Sequence, residues 1–330
     1  MSISPGKLRG LIRISDSTGR FKMLALDQRG SLEKMIKSVK EKAEPADLIK
    51  VKKAIIKSLS PYVSAVLVDP EYGFFPTLKY IPKDTGVILS VEKTGYEISG
   101  EDRYSHLLEE DIVSKAKRWG VDAIKLLIYW NKEASDECKN HQVNLVRKVG
   151  EECYENDLTF ILEVLTYNNK YDKKSQEYKK QLPFNIIDAV STFSVPEFKV
   201  DLFKLEAPVN YYDIGVLFTE KDLQNLFTEF NGSLNGIPWV VLSGGVGSKE
   251  FAKTLNICCE NGASGFLAGR AIWKECVNFV LEQEKMEDHL RYKGLNNLMK
   301  IVEASKNSLP FFETRSFKGF ENIEVTDINL

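Results

Sequence analysis

The residue in this sequence best placed to do covalent chemistry is a lysine inside an apolar run. Lys204 lies in Asp201-Leu202-Phe203-Lys204-Leu205-Glu206-Ala207-Pro208. The run has the composition of a buried strand, and alternate side chains of a strand point to opposite faces. Leu202, Lys204 and Glu206 therefore share one face, and Phe203, Leu205 and Ala207 share the other. Pro208 cannot donate to a sheet ladder, so the strand is expected to end there. Lysine is rarely buried without a partner. A structural ion pair is the commoner reason for such a lysine, and a nucleophilic amine is the more consequential one. An amine attacks a carbonyl only when uncharged, a form that burial and a nearby cation both favour.

Four more charged residues sit at or near the ends of apolar runs. Asp27 ends Met23-Leu24-Ala25-Leu26, and Glu92 follows Val87-Ile88-Leu89-Ser90-Val91. Lys125 lies in Ala123-Ile124-Lys125-Leu126-Leu127-Ile128-Tyr129-Trp130, and Glu163 in Thr159-Phe160-Ile161-Leu162-Glu163-Val164-Leu165. Taken singly, Asp27 and Glu92 read as loop caps, and Lys125 and Glu163 as a buried pair. Their recurrence at equivalent places on successive runs points to one site. Two glycine turns add a second signal. Ser243-Gly244-Gly245 follows Trp239-Val240-Val241-Leu242, and Gly269-Arg270 follows Gly265-Phe266-Leu267-Ala268. Glycines let backbone N–H groups approach anionic oxygens, and Arg270 can supply a fork of donors. The turn lacks the lysine spacing of a P-loop, which disfavours a nucleoside triphosphatase. A strand lysine, a carboxylate and a phosphate site together suggest Schiff-base chemistry on a phosphorylated sugar.

The elements that position these residues follow from the rhythm of the chain. Eight apolar runs are each followed by a helical pattern, which indicates a parallel sheet covered by helices. Eight such units indicate an α/β fold of (β/α)8 TIM-barrel type, read as one domain over residues 1–330 with a short N-terminal helix within 1–20 and a C-terminal extension over 310–330. Active sites of such barrels lie at the carboxyl ends of the strands, with phosphate often bound after strands seven and eight. An open dinucleotide-binding sheet would need a glycine-rich turn after its first strand, and Asp27-Gln28-Arg29-Gly30 is not one. The patterning further predicts a helix capped by Ser105 and stopped by Gly120, and a polar loop over 168–181 that could cover the site. It also predicts a helix over 185–193, a polar segment before Trp239, and a helix over about 271–283. The aromatic tail, with Phe311, Phe312, Phe317 and Phe320, is expected to pack on the body.

The totals exclude several classes. With 43% hydrophobic and 28% charged residues and a net charge of -2, nothing favours nucleic acid or an anionic membrane as a partner. The five cysteines have no disulfide-type spacing and read as free thiols of a reducing compartment. No run reaches membrane-spanning length and the first residues carry no long apolar stretch, so a cytoplasmic location is expected. The three histidines, His106, His141 and His289, are too far apart in sequence to suggest a metal site, and no metal or cofactor is expected.

The chain resembles the class I tagatose-1,6-bisphosphate aldolases over nearly its whole length. The resemblance rests on Leu24-Ala25-Leu26-Asp27-Gln28-Arg29-Gly30, Asp69-Pro70-Glu71-Tyr72-Gly73, Glu92-Lys93-Thr94-Gly95-Tyr96, Lys125-Leu126-Leu127-Ile128-Tyr129, Phe203-Lys204-Leu205-Glu206-Ala207-Pro208-Val209-Asn210 and Gly269-Arg270-Ala271. It implies a metal-free (β/α)8 barrel in which Lys204 forms the Schiff base and Glu163 transfers the proton. It implies Lys125, Asp27, Gln28 and Glu92 as their neighbours, and Ser243, Gly244, Gly269 and Arg270 as a phosphate site. Arg29, Lys125 and the lysines of the loop over 168–181 are candidates for the anion at C6. Gly244 stands where the family leads one to expect alanine, and Ala268 where it leads one to expect cysteine; both are small. The implied partner is a phosphorylated ketose, with self-association left open. A related group cleaves 6-deoxy-6-sulfofructose 1-phosphate with the same barrel and lysine, so the substrate stays open at this stage. A phosphosugar isomerase or a non-catalytic phosphosugar regulator would use the phosphate turns but would not need the lysine on strand six.

Overall fold

The computed structural model describes residues 2–326. Eight parallel strands close into a barrel: β1 (Phe21–Leu26), β2 (Ala65–Val68), β3 (Gly86–Ser90), β4 (Ala123–Trp130), β5 (Thr159–Thr166), β6 (Leu202–Leu205), β7 (Trp239–Val241) and β8 (Gly265–Ala268). Each pairs with its sequence neighbour, and β8 closes onto β1. The expected (β/α)8 TIM barrel is the observed fold.

The strands are apolar on both faces because both are covered. One set of side chains, including Leu24, Val66, Leu89, Ile124, Leu162 and Phe203, packs outward under the helices. The alternate set, including Met23, Leu67, Ile88, Ile161, Leu202 and Leu267, fills the lower barrel. Burying one such side chain contributes about 1.5–3 kcal/mol. One inward position further up, the apolar residues give way to Asp27, Ser90, Lys125, Glu163 and Lys204. The barrel is thus an apolar plug with a polar layer on top. Apart from Lys22, the strand residues that are not fully buried are Leu127, Tyr129 and Leu165, all inward at the upper end.

The helix Pro5–Ile14 and the C-terminal tail close the lower end. Leu11, Ile14, Phe311 and Phe317 join the lower plug, and the Phe311 ring lies 5.9 Å from that of Phe21. Asp157 holds the start of this helix by accepting from the Gly6 N–H (2.6 Å) and the Lys7 N–H (3.1 Å). The aromatic tail packs on the body, as its composition predicts.

Four expected elements differ from the structure. The helix assigned to a Ser105 cap starts at Ile112 and spans Ile112–Trp119. Ser105 is buried and receives a hydrogen bond from Gln142, and a β-hairpin of Glu97–Ser99 and Asp102–Tyr104 precedes it. Those strands are too short and too exposed to show apolar alternation. The expected loop over 168–181 is shorter, because a helix spans Gln176–Phe193 with Ser175 as its cap. Pro183 lies inside that helix, where it signals a break in sequence; its ring is buried, and packing outweighs the lost N–H. The polar segment before β7 contains the helix Glu220–Ser233, which starts at a capping box of Thr219 and Asp222 and buries Phe227 and Phe230. The helix expected over 271–283 is a short one, Arg270–Trp273, followed by a 3-10 turn, Lys274–Phe279. Among the described residues, no helix is long and apolar enough to cross a membrane.

Candidate active site

At the carboxyl ends of the strands lies a cavity of about 600 Å³ lined by Asp27, Gln28, Arg29, Glu92, Glu163, Lys204 and Arg270. Its floor is the polar layer. Lys125 is fully buried and sits among three carboxylates: Asp27 Oδ2 at 2.6 Å, Glu92 Oε1 at 2.5 Å and Glu163 Oε2 at 3.2 Å. The same Glu163 oxygen accepts from Lys204 Nζ at 2.8 Å. One carboxylate oxygen therefore lies between two lysine nitrogens on different strands.

Strand register explains the meeting. Leu127 pairs with Glu163, and Glu163 with Lys204, so the lysine and its carboxylate are level neighbours on β5 and β6. Lys125 starts one inward row lower and extends upward to reach them. Glu92 lies beyond the end of β3, and its Oε2 accepts from the Leu127 N–H at 3.1 Å. A side chain thus continues the ladder where the β3 backbone has turned away.

Burial alone would strip Lys125 of its proton, but the charges of Asp27, Glu92 and Glu163 outweigh it and hold its pKa well above the ordinary lysine value. Burial would also raise the Asp27 carboxyl, and the charges of Lys125 and Lys204 hold it well below the usual range instead. Lys125 is a permanent cation in this site. Among the described residues, no group of three or more His, Cys, Asp or Glu is arranged to hold a metal ion. The carboxylates that could have done so converge on the Lys125 ammonium.

Arg29 and Gln28 stand at the wall. Arg29 Nη2 donates to the Glu92 carbonyl at 2.5 Å, while its Nε has no partner among the described residues. Gln28 Oε1 and Ser90 Oγ are likewise buried and unpartnered. The predicted phosphate residues are divided. Arg270 lines the cavity with Lys204, but Ser243 and Gly244 line a neighbouring cavity of about 510 Å³ together with Lys173, Lys179 and Glu206. The two turns still touch: Gly245, at φ +88°, lies where a Cβ would come within 3.2 Å of the Arg270 guanidinium carbon. Gly269 lines neither cavity; it is packed against the Ala25 carbonyl and the Gln28 amide, which leaves no room for a side chain.

Size alone does not locate the site. A cavity of about 610 Å³ lies at the opposite end of the barrel, but its buried ions, Lys7 and Asp201, already pair with each other at 2.7 Å.

Lys52, in the helix Pro45–Leu59, was not singled out in the sequence. It is buried, pairs with Asp69 and donates to the Leu26 carbonyl at 2.7 Å, tethering the backbone just before Asp27. Burial lowers its pKa against the pull of Asp69. A lysine within the apolar face of Leu48, Val51 and Ile55 was the available signal. Tyr129, Lys34, Lys93 and Thr94 also line the cavity and carried no assigned role.

A closed parallel barrel with this site, together with the relatives described next, makes the protein an aldolase, an enzyme of the lyase class. The chain belongs to the DeoC/LacD family of aldolases, whose family pattern matches residues 21–275. It is 34% identical over 328 residues to tagatose 1,6-diphosphate aldolase 2 of Streptococcus agalactiae, covering 96% of this chain and 100% of the relative. It is 34% identical over 311 residues to tagatose 1,6-diphosphate aldolase of Lactococcus lactis, covering 90% and 94%. Among solved structures, it resembles a fructose-bisphosphate aldolase from Plasmodium falciparum with a TM-score of 0.71, 15% identity and coverage of 93% of this chain and 97% of that one. At that identity the likeness speaks for the fold.

Proposed function

We propose that the protein is a class I aldolase that cleaves tagatose 1,6-bisphosphate to dihydroxyacetone phosphate and glyceraldehyde 3-phosphate through a Schiff base on Lys204, without a metal or cofactor. The observation that carries this reading is the Glu163 oxygen placed 2.8 Å from Lys204 Nζ and 3.2 Å from Lys125 Nζ. Moving a proton from Lys204 to Glu163 frees the amine and leaves the net charge of the buried cluster unchanged. The amine then adds to the C2 ketone; Glu163 passes the proton it holds to the carbinolamine hydroxyl, which leaves as water and gives an iminium, and Glu163 is a carboxylate again. Glu163 takes the proton of the C4 hydroxyl, the C3–C4 bond breaks, and its electron pair moves to the iminium to form an enamine. Glyceraldehyde 3-phosphate departs. Protonation of the enamine at C3 and hydrolysis release dihydroxyacetone phosphate and restore Lys204. General acid–base help of this kind is typically worth about 100- to 10,000-fold. Lys125, charged throughout, disfavours a second positive charge beside it and holds Glu163 in place.

A polyhydroxylated, doubly phosphorylated ketose also suits the unpartnered atoms of the wall, Gln28 Oε1 and Arg29 Nε. In this reading Arg270, which lines the Lys204 cavity, holds the C1 phosphate, with the Ser243–Gly244 turn beside it, and Arg29 meets the C6 phosphate. The reaction is one of cytoplasmic sugar metabolism. The test is incubation with dihydroxyacetone phosphate, borohydride reduction and peptide mass mapping. A reduced adduct on Lys204 is expected; an unmodified Lys204 in an active preparation would sink the Schiff-base reading.

Two predictions concern the substrate. The kcat/KM values are expected to rank tagatose 1,6-bisphosphate first, with fructose 1,6-bisphosphate cleaved as well, since the two differ only at C4. A clear preference for 6-deoxy-6-sulfofructose 1-phosphate would reassign the substrate and leave Lys204 in its role. Arg29→Ala is expected to raise KM for the bisphosphate by roughly 10-fold or more, through loss of a charge-assisted contact. KM for a ketose 1-phosphate, which lacks the C6 anion, should change far less. Equal losses on both would remove Arg29 from the C6 position.

A further inference from the structure

Tyr129 is the last inward-facing residue of β4. It stands one row above the level at which Leu127, Glu163 and Lys204 are in register, because its own partner on β5 is Leu165. Tyr129, Leu127 and Leu165 all line the cavity that holds Lys204. The phenol thus lies above the proton-accepting carboxylate, on the strand next to it.

The ring is held by a stack of aromatic and guanidinium groups. Tyr96 meets it edge-on at 4.5 Å. The Arg103 guanidinium lies over the faces of both Tyr96 (4.7 Å) and Tyr167 (4.3 Å), and forms no ion pair with a described carboxylate. Gln142 Nε2 ties the two ends of this stack together, donating to the Arg103 carbonyl at 2.7 Å and the Tyr129 carbonyl at 3.2 Å. The hairpin of Glu97–Ser99 and Asp102–Tyr104 carries Arg103, which links it to the Tyr129 ring through Tyr96. The Tyr129 hydroxyl itself has no hydrogen-bond partner among the described residues. Burial and the Glu163 charge push its pKa up to about 12, so it stays protonated as a donor.

A ketose with C1 near Arg270 and C2 bonded to Lys204 would carry C3 and C4 over Glu163, which lies 2.8 Å from Lys204 Nζ. We propose that the Tyr129 hydroxyl donates a hydrogen bond to O4 of the ketose, assisting cleavage and responding to the configuration at C4. Glu163 approaches O4 from the polar layer below, and Tyr129 from the row above. As the O4–H proton passes to Glu163 and the C3–C4 bond breaks, O4 becomes the carbonyl oxygen of the leaving aldehyde. A donor fixed above it supports that carbonyl as it forms. This inference rests on the reading of Lys204 as the Schiff-base lysine.

Dihydroxyacetone phosphate has no counterpart of O4, which gives a clean test. Tyr129→Phe keeps the ring and its contact with Tyr96. The variant is expected to cleave tagatose 1,6-bisphosphate with kcat/KM lowered by about 5- to 10-fold, the range of one neutral hydrogen bond. It should keep borohydride trapping by dihydroxyacetone phosphate and solvent exchange of the C3 proton of that compound within about twofold of the unsubstituted enzyme. The ratio of kcat/KM between tagatose and fructose 1,6-bisphosphates should also change. Cleavage and exchange lowered alike would overturn the proposal, as would unchanged cleavage. If the unsubstituted enzyme itself forms no adduct on Lys204, the Schiff-base reading fails, and this inference fails with it; that outcome is distinguished by the unsubstituted protein alone.

Discussion

Lys204→Met is expected to lower turnover of tagatose 1,6-bisphosphate by about 10,000-fold or more, the scale on which removing a covalent nucleophile acts. Methionine preserves the length and apolar stem of the side chain and removes only the amine. The substitution leaves Glu163 with its second partner, Lys125 at 3.2 Å, so no carboxylate is stranded. The fold should therefore hold, and the melting temperature should move by only a few degrees. The borohydride adduct with dihydroxyacetone phosphate should vanish from the peptide containing position 204. Residual activity within about 100-fold of the unsubstituted enzyme would mean that Lys204 is a structural partner of Glu163 and that catalysis resides elsewhere.

Lys125→Met is expected to act on stability as strongly as on activity. The ammonium of Lys125 is the common partner of Asp27, Glu92 and Glu163. Without it three carboxylates share a buried site, with Lys204 as the remaining cation in contact with Glu163. Breaking a buried ion pair by removing one partner costs about 3–5 kcal/mol, which for a chain of this size lowers the melting temperature by on the order of 5–10 °C. Its pH dependence identifies the cause. In the unsubstituted protein Asp27 is held below the ordinary carboxylate range, so its contribution is present above roughly pH 4 and lost as the pH falls. Lys125 is held above the ordinary lysine value, so its contribution is present below roughly pH 10 and lost as the pH rises through the folded value. Between roughly pH 5 and 8 both are intact and stability should be flat. In the variant the buried carboxylates have lost their cation and bind protons more tightly when folded. Its melting temperature should therefore rise as the pH is lowered from 8 to 5. A variant as flat as its parent would show that Lys125 does not organise the cluster.

The parts of this protein legible in its sequence are those set by short-range periodicity. Eight apolar runs separated by helical patterns specify the barrel, and an alternation of two along β6 sends Lys204 inward with Leu202. The same alternation sends Lys125, Glu163 and Asp27 inward on their own strands. The tertiary structure alone decided how these residues meet. Closure of the barrel staggers neighbouring strands, and that stagger lets Lys125 reach up to Glu163 and the Glu92 carboxylate cap the Leu127 N–H. No local pattern encodes the stagger, because it is a property of all eight strands together. Loop meetings are non-local in the same way: Arg270 faces the Lys204 cavity, while Ser243 and Gly244 open onto its neighbour. The helix Gln176–Phe193 runs through Pro183 because burial of that face outweighs a local breaking signal. Lys52 and Tyr129 looked ordinary in sequence, a lysine among helix residues and an aromatic at a strand end. Their environments come from segments far along the chain, Asp69 and Leu26 for one and the Tyr96–Arg103 stack for the other, and only packing brings those segments together.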